Sequence, residues 1–268
     1  MIPILIFDIE TVPDVEGMRR LYPQFTALNE TDLFQAVCTE RFGIDTDRTF
    51  LPHHLQKICA ISCVLRAGSA TPNSSDACFK VWTLGDLESS EATIIHKFFK
   101  LIDHYTPQLV SWNGGGFDLP VLHYRALIHG IAAPRYWDNG EETREFKYNN
   151  YLSRYHYRHL DLMDVLAAYQ PRANAGLDEI AKLCGFAGKL GIDGSQVFQA
   201  VQNGRLDEVR NYCETDVINT YLVYTRFQQM RGHWSSEVTQ AEQLLVRHTL
   251  TDAALQSPHW KNYLDAWV

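Results

Sequence analysis

No stretch of this chain reaches the roughly 18 consecutive apolar residues that a bilayer-spanning helix needs, so a helical membrane protein is not expected. The start lacks a basic region ahead of an apolar one. Met1-Ile2-Pro3 leads straight into a strand-like run, and no secretory leader is expected. Positive charge is in deficit: 24 lysines and arginines against 32 aspartates and glutamates give a net charge of −8. That argues against a salt-driven grip on long duplexes, while leaving room for a local basic groove. None of the six cysteines forms a C-x-x-C pair, which argues against a zinc ribbon and for reduced, buried thiols in a cytoplasmic setting. Repeats and Pro/Ser-rich linkers are lacking, and the three glycines at 114–116 are not followed by the G-K-[ST] of a phosphate-binding loop. What is present is an ordinary globular balance, 46% hydrophobic and 21% charged over 268 residues, enough for one large domain with or without an appendage.

The hydrophobic pattern predicts a central strand over residues 3–9, apolar on both faces. Residues 14–55 read as an insertion with two short amphipathic helices, about 15–22 and 30–41, and a loop ending in Leu51-Pro52-His53-His54. Strands at 58–66 and 78–84 flank a turn cluster, Thr71 to Asp76, and suggest a hairpin. A helix capped by Ser89 or Ser90 runs to His104, with Ile94, Ile95, Phe98, Phe99 and Ile102 on one face. Then come a strand at 109–112, a helix at 119–129, a strand and helix within 159–169, and helices at 177–184, 195–203 and 206–230. The tail, 231–268, holds one or two more helices, the last starting at Ser257-Pro258. This order predicts one α/β domain over residues 1–230 on a mixed sheet, with 231–268 as a helical extension packed on it.

Three segments carry chemistry. Asp8 and Glu10 end the first strand two residues apart, so they project to one side. Two adjacent carboxylates repel and lose hydration, a cost most readily tolerated where a divalent cation sits between them; a solvated strand end is the bland alternative. Asp118 follows a strand and three glycines at the mouth of a helix, where aspartate is common for capping reasons alone. Tyr212 and Asp216 lie four apart on the long late helix and share a face.

Singly these are weak signals. In this order, Phe7-Asp8-Ile9-Glu10-Thr11, Ser111-Trp112-Asn113-Gly114, Phe117-Asp118-Leu119-Pro120, Asp161-Leu162-Met163-Asp164, Lys189 with Asp193-Gly194-Ser195, and Tyr212 to Thr220 resemble the DEDD superfamily of 3′→5′ exonucleases. The branch is the one with a tyrosine in the last motif, and the chain is most similar to stand-alone exonucleases related to the proofreading domain of family B DNA polymerases. The resemblance spans about residues 3–230. It implies an RNase H-like fold, a five-stranded mixed sheet with the second strand antiparallel, flanked by helices.

The resemblance also implies two-metal phosphodiester hydrolysis with Mg²⁺ or Mn²⁺. Asp8 would bridge both ions, Glu10 and Asp216 would complete the site of the attacking water, Asp118 would serve the second ion, and Tyr212 would orient the water. The substrate would be single-stranded DNA or a frayed 3′ end, releasing nucleoside 5′-monophosphates. RNA is the alternative polymer, and a non-catalytic nucleic-acid-binding module is the alternative role. Thr11, Val12, Trp112, Asn113, Phe117 and Lys189 are the expected substrate contacts. Arginines, lysines, tyrosines and histidines interleave over 144–159, a pattern that suits single strands. For Asp161 a hydrogen-bonded strand end is expected, and for Asp164 a helix N-cap. His53 and His54 signal nothing specific. A polymerase or repair partner fits this reading, without being identified by any residue.

Overall fold

Alternation along strand β1 (Ile4–Pro13) sends its side chains into two cores, and the rest of the molecule is arranged around that strand. The computed structural model describes residues 2–43, 50–69 and 76–268. Strands β2 (Gln56–Ala67), β3 (Cys78–Thr83), β4 (Gln108–Ser111) and β5 (His159–Asp161) complete a sheet of order β3-β2-β1-β4-β5. β2 is antiparallel to β1 and to β3, whereas β4 and β5 run parallel to β1. This is the RNase H-like arrangement. The two antiparallel strands form the expected hairpin; of the turn cluster between them, residues 71–75 lie outside the described residues.

Leu5, Phe7 and Ile9 face a core shared with helices α3 (Glu91–Tyr105) and α4 (Asp118–His129). Ile4 and Ile6 face the opposite core, under α7 (Leu177–Leu183), α9 (Leu206–Met230), α10 (Ser236–Ala253) and α11 (His259–Ala266). Each fully buried Leu, Ile or Phe contributes about 1.5–3 kcal/mol here, which holds the sheet between its two helical layers. Asp8 and Glu10 continue the Ile4–Ile6 side and therefore look toward α9. No helix among the described residues is long and apolar enough to cross a membrane.

Between β1 and β2 sit helices α1 (Val15–Leu21) and α2 (Glu30–Phe42) around a small core of Met18, Leu33, Val37, Leu51 and Leu55. The short helices α5 (Pro134–Trp137), α6 (Leu162–Leu166) and α8 (Val197–Gln202) complete the α-helices among the described residues. α5 is absent from the sequence reading. At four residues it has no period to detect, and its one signal is Pro134 at the first helical position. The capping expectation at 161–164 is corrected. Asp161, not Asp164, caps α6, its carboxylate accepting from Asp164 N–H at 3.4 Å, while Asp164 pairs with Arg154 at 2.7 Å.

Candidate metal centre

The pleat brings Asp8 and Glu10 to the same face of β1, and the strand pairing fixes them there: Asp8 lies opposite Ser62 and Glu10 opposite Ala60. Just beyond, the register slips, Thr11 pairing with Ile58, so β2 carries an extra residue at Cys59, whose thiol donates to Glu10 O at 3.3 Å. Such a bulge bends the strand end and re-aims its side chains.

Asp118 arrives from the other core. Chain reversal at 113–117 needs Asn113 in the left-handed region (φ 64°) and a glycine at 114, where a Cβ would come within 2.5 Å of Ser111 Cβ. Asp161 holds this loop by accepting from Asn113 N–H (2.9 Å) and Gly115 N–H (2.8 Å). Asp118 then opens α4, and its Oδ1 accepts from Ile9 N–H at 3.1 Å, so it reaches β1 between the two strand carboxylates in sequence.

Helix α9 supplies Tyr212, Cys213 and Asp216, all buried. The Cys213 thiol lies 3.4 Å from Asp8 O and 3.5 Å from Asp8 Oδ2. Ligand atoms of Asp8, Glu10 and Cys213 fall within 4.8 Å of one another, a group able to hold a metal ion. Lys189 Nζ enters from the loop before α8 and donates to Tyr212 Oη (2.5 Å) and Asp216 Oδ2 (2.8 Å). The other oxygen of Asp216, Oδ1, is buried and has no hydrogen-bond partner among the described residues.

The electrostatics agree with the geometry. Burial, then the charges of Asp118 and Asp216, holds the Asp8 carboxyl well above the usual carboxylate range. Burial, then Asp8 and Asp216, does the same to Glu10. Asp118 is pushed up to about 7, by burial first and by Asp161 and Asp216 against two backbone hydrogen bonds. Asp216 is also raised by burial, with Lys189 opposing. Burial lowers the affinity of Lys189 for its proton, but Asp216 and Tyr212 outweigh that, so the ammonium keeps its charge. The Tyr212 phenol is raised by burial and by Asp216 and Glu10. Four carboxyls that repel one another and a buried carboxylate oxygen left unpaired fit a divalent cation bound through oxygen.

These raised carboxyls link stability to pH. The native chain binds more protons than the unfolded one wherever they are still protonated. In EDTA, stability should therefore fall as pH rises from about 4, the share due to Asp118 being lost by about pH 7. For Asp118 alone, a value near 7 in place of 3.8 corresponds to at most roughly 4 kcal/mol. Mn²⁺ replaces those protons, so the thermal shift it produces should grow from pH 5 to pH 8. An EDTA melting temperature that climbs across this range in wild type, or runs parallel to that of Asp118→Asn, counts against the centre.

Beside Glu10 and Thr11 opens a cleft of about 600 Å³. Phe34 of α2, Phe50, Phe117 and Phe198 of α8 line it together with Gln56, Gly194 and Ser195. Phe34 and Phe198 make one ring pair (5.6 Å) and Phe50 and Phe117 another (5.4 Å). Of the expected substrate contacts, Thr11 and Phe117 line this cleft. Asn113 sits in the loop above Asp118, its backbone committed to Asp161. Lys189 lies among the carboxylates. Val12 is buried against Ala60, Val197, Ala200 and Val209, away from this cleft, and the half-buried Trp112 packs on the α9 core with its indole N–H donated to Ala175 O. The 144–159 segment divides. Phe146 and Tyr151 are buried with Arg158 stacked on both, whereas Tyr148, Tyr155 and Tyr157 are exposed. Sequence reasoning missed Cys213, Phe34, Phe50 and Phe198. It also missed His53, whose Nε2 lies 3.0 Å from Gly116 O and whose ring packs on Phe117.

Known proteins share parts of this chain. Residues 48–267 match the family described as "Predicted 3'-5' exonuclease related to the exonuclease domain of PolB"; β1 precedes the matched span. The chain is 28% identical over 140 residues to a DNA polymerase of Archaeoglobus fulgidus, covering 51% of this chain and 17% of that protein. It is 23% identical over 148 residues to the catalytic subunit of DNA polymerase epsilon from Schizosaccharomyces pombe, covering 52% of this chain and 6% of that protein. It thus spans less than a fifth of the length of these relatives. Among solved structures it superposes on the family B DNA polymerase from Pyrobaculum calidifontis with a TM-score of 0.47 at 16% identity, over 82% of this chain and 24% of that one.

Proposed function

Since the chain belongs to the family of predicted 3′–5′ exonucleases related to the exonuclease domain of PolB, we propose that it hydrolyses phosphodiester bonds from the 3′ end of unpaired DNA in a divalent-cation-dependent reaction. The observation that carries this reading is the pair Asp8 and Glu10 on one face of β1, with Asp118 on α4 and Asp216 on α9 close enough to raise both carboxyls and one buried Asp216 oxygen unpaired among the described residues. Those four residues are the ones that would hold Mg²⁺ or Mn²⁺. Bound cations would supply Lewis-acid polarisation of the phosphate and a lowered pKa for the attacking water.

The chain's own groups do the positioning. Lys189 donates to both Tyr212 and Asp216, and so holds the phenol beside that carboxylate, where a water or a phosphate oxygen would sit. The raised phenol keeps its proton at neutral pH, so Tyr212 orients rather than abstracts. The phenylalanine-lined cleft beside Glu10 suits unstacked bases, because every base has a face on which a ring can pack. A duplex end would have to fray before its bases could enter between facing walls. The preference for DNA is drawn from the two relatives, both DNA polymerases. A cytoplasmic setting accords with a thiol at Cys213 in contact with Asp8.

The test is degradation of 3′- and 5′-labelled oligonucleotides, single- and double-stranded, DNA and RNA, with Mg²⁺ or Mn²⁺. Stepwise loss from the 3′ end of single-stranded DNA, giving nucleoside 5′-monophosphates, is expected. Faster loss from RNA would move the substrate assignment, and no loss from any polymer would end the proposal. Tyr212→Phe should slow turnover roughly tenfold to a hundredfold, the scale of one lost positioning contact. Mn²⁺ binding, followed by calorimetry, should stay within about threefold of wild type, because the carboxylates are untouched.

A further inference from the structure

Lys189 owes its place to a glycine. Gly188 has φ +73°, and a Cβ there would lie 2.5 Å from Asp178 Oδ1 and 2.7 Å from Lys182 Cε. Both polar groups of its backbone are taken by one side chain. Asn219, buried on α9 one turn past Asp216, donates from Nδ2 to Gly188 O (2.7 Å) and accepts from Gly188 N–H at Oδ1 (3.2 Å). That same Oδ1 accepts from the Tyr263 hydroxyl at 2.6 Å. Tyr263 is fully buried on α11, in the segment beyond residue 230. The contact is not isolated. Trp260, Tyr263 and Trp267 share a core with Phe186 and Ala187, and Trp267 meets Phe186 edge-on at 5.9 Å. On the other side of the loop, Asp178 Oδ1 accepts from Lys189 N–H at 2.7 Å.

We propose that residues 231–268 form part of the site rather than an appendage to it. In this proposal, which rests on the nuclease reading above, Tyr263 is a positioning residue. Its hydroxyl fixes the Asn219 amide, the amide clamps Gly188, and the clamp sets where Lys189 Nζ meets Tyr212 and Asp216. Lys189 has a long stem of rotatable bonds, so its reach into the carboxylates depends on where its backbone is held. Removing one hydroxyl 44 residues away in sequence from Asn219 should loosen the loop and cost turnover, with little effect on binding of the polymer.

The experiment compares wild type, Tyr263→Phe and Tyr221→Phe. Tyr221 is a control for losing a buried hydroxyl, because its Oη donates to Glu242 Oε2 (2.6 Å) and not to Asn219. Amide hydrogen exchange of a peptide covering 186–192 should be at least about tenfold faster in Tyr263→Phe. It should be unchanged in Tyr221→Phe, and β1 should be unchanged in Tyr263→Phe. In the degradation assay, kcat of Tyr263→Phe should fall about fivefold to twentyfold with KM within about twofold, the signature of a lost positioning contact. Unchanged exchange in 186–192 overturns the proposal, as does faster exchange with kcat intact. If wild type degrades nothing, the nuclease reading falls, and the exchange comparison still decides whether Tyr263 holds the Lys189 loop.

Discussion

Asp8→Ala is expected to abolish at least about 99.9% of 3′-end degradation and, in the same preparation, to raise the melting temperature in EDTA. A thousandfold loss corresponds to about 4 kcal/mol of transition-state stabilisation, ordinary for a group that fixes a catalytic cation. The rise in stability comes from removing a carboxyl whose burial, and then whose repulsion by its neighbours, counts against folding once a chelator has taken the cation. Burial first, and then the charges of Asp118 and Asp216, disfavour the ionised form of Asp8, and an ionised Asp8 repels Glu10 in turn. Removing it relieves that repulsion at neutral pH, while the hydrophobic partners Leu5, Phe7 and Ile9 on the other face of β1 keep their packing. The third expected change is loss of most of the thermal shift produced by Mn²⁺, because the Asp8–Glu10 pair no longer exists. Stability and activity moving in opposite directions distinguish a metal ligand from a structural carboxylate, whose loss lowers both. Degradation at the wild-type rate by a clean Asp8→Ala preparation would refute the mechanism. A lower EDTA melting temperature with the Mn²⁺ shift intact would show Asp8 to be structural.

What the sequence made legible was whatever depends on short-range period. The run from Ile4 reads as a strand, and the sheet places Asp8 and Glu10 on one side as the two-residue period of a strand requires. Tyr212 and Asp216 are one turn apart, and the helix delivers both to Lys189. The order of strands and helices implied a mixed sheet, and the family resemblance implied the five strands with an antiparallel second strand that are present. What stayed hidden depends on which element covers which. Val12 shares the face of Glu10, but α8 and α9 close over it, and nothing local announces that Val197 and Val209 lie there. Phe34 and Phe198 are 164 positions apart and meet only because α2 folds against α8. Cys213 sits between Tyr212 and Asp216 in the motif and reads as an ordinary buried thiol; only the approach of β1 to α9 sets it against Asp8. Asn219 and Tyr263 look like helix residues without a task, because their common partner is the backbone of a glycine in a third segment.

Arg125→Met should destabilise the chain by about 3–5 kcal/mol, the cost of leaving buried carboxylates without their cation. Arg125 is almost wholly buried on α4, two turns beyond Asp118. Its Nε and Nη2 donate to the two oxygens of Glu91 at 2.8 and 2.6 Å, and Nη1 donates to Asp14 Oδ2 at 2.5 Å. Glu91 also accepts from Ile58 N–H at 2.7 Å, and Asp14 caps α1 through Gly17 N–H. One guanidinium thus ties α4, the start of α3, the bulged end of the β1–β2 pair and the first helix of the insertion. Because α4 also carries Asp118, the same tie sets how that carboxylate meets Ile9 N–H. For a chain of this size the loss corresponds to a drop of roughly 6–20 °C in melting temperature. Activity should fall further than the folded fraction does, since Asp118 and Thr11 both lose their reference. Adding Glu91→Gln and Asp14→Asn removes the stranded charges, and the triple variant should regain at least about half of the lost stability. Recovery of stability without recovery of turnover would locate the contribution of Arg125 to activity in the placement of α4 against β1. A destabilisation under about 1 kcal/mol for the single variant would mean that the apolar core alone holds these elements, and that the ionic network is incidental to the site.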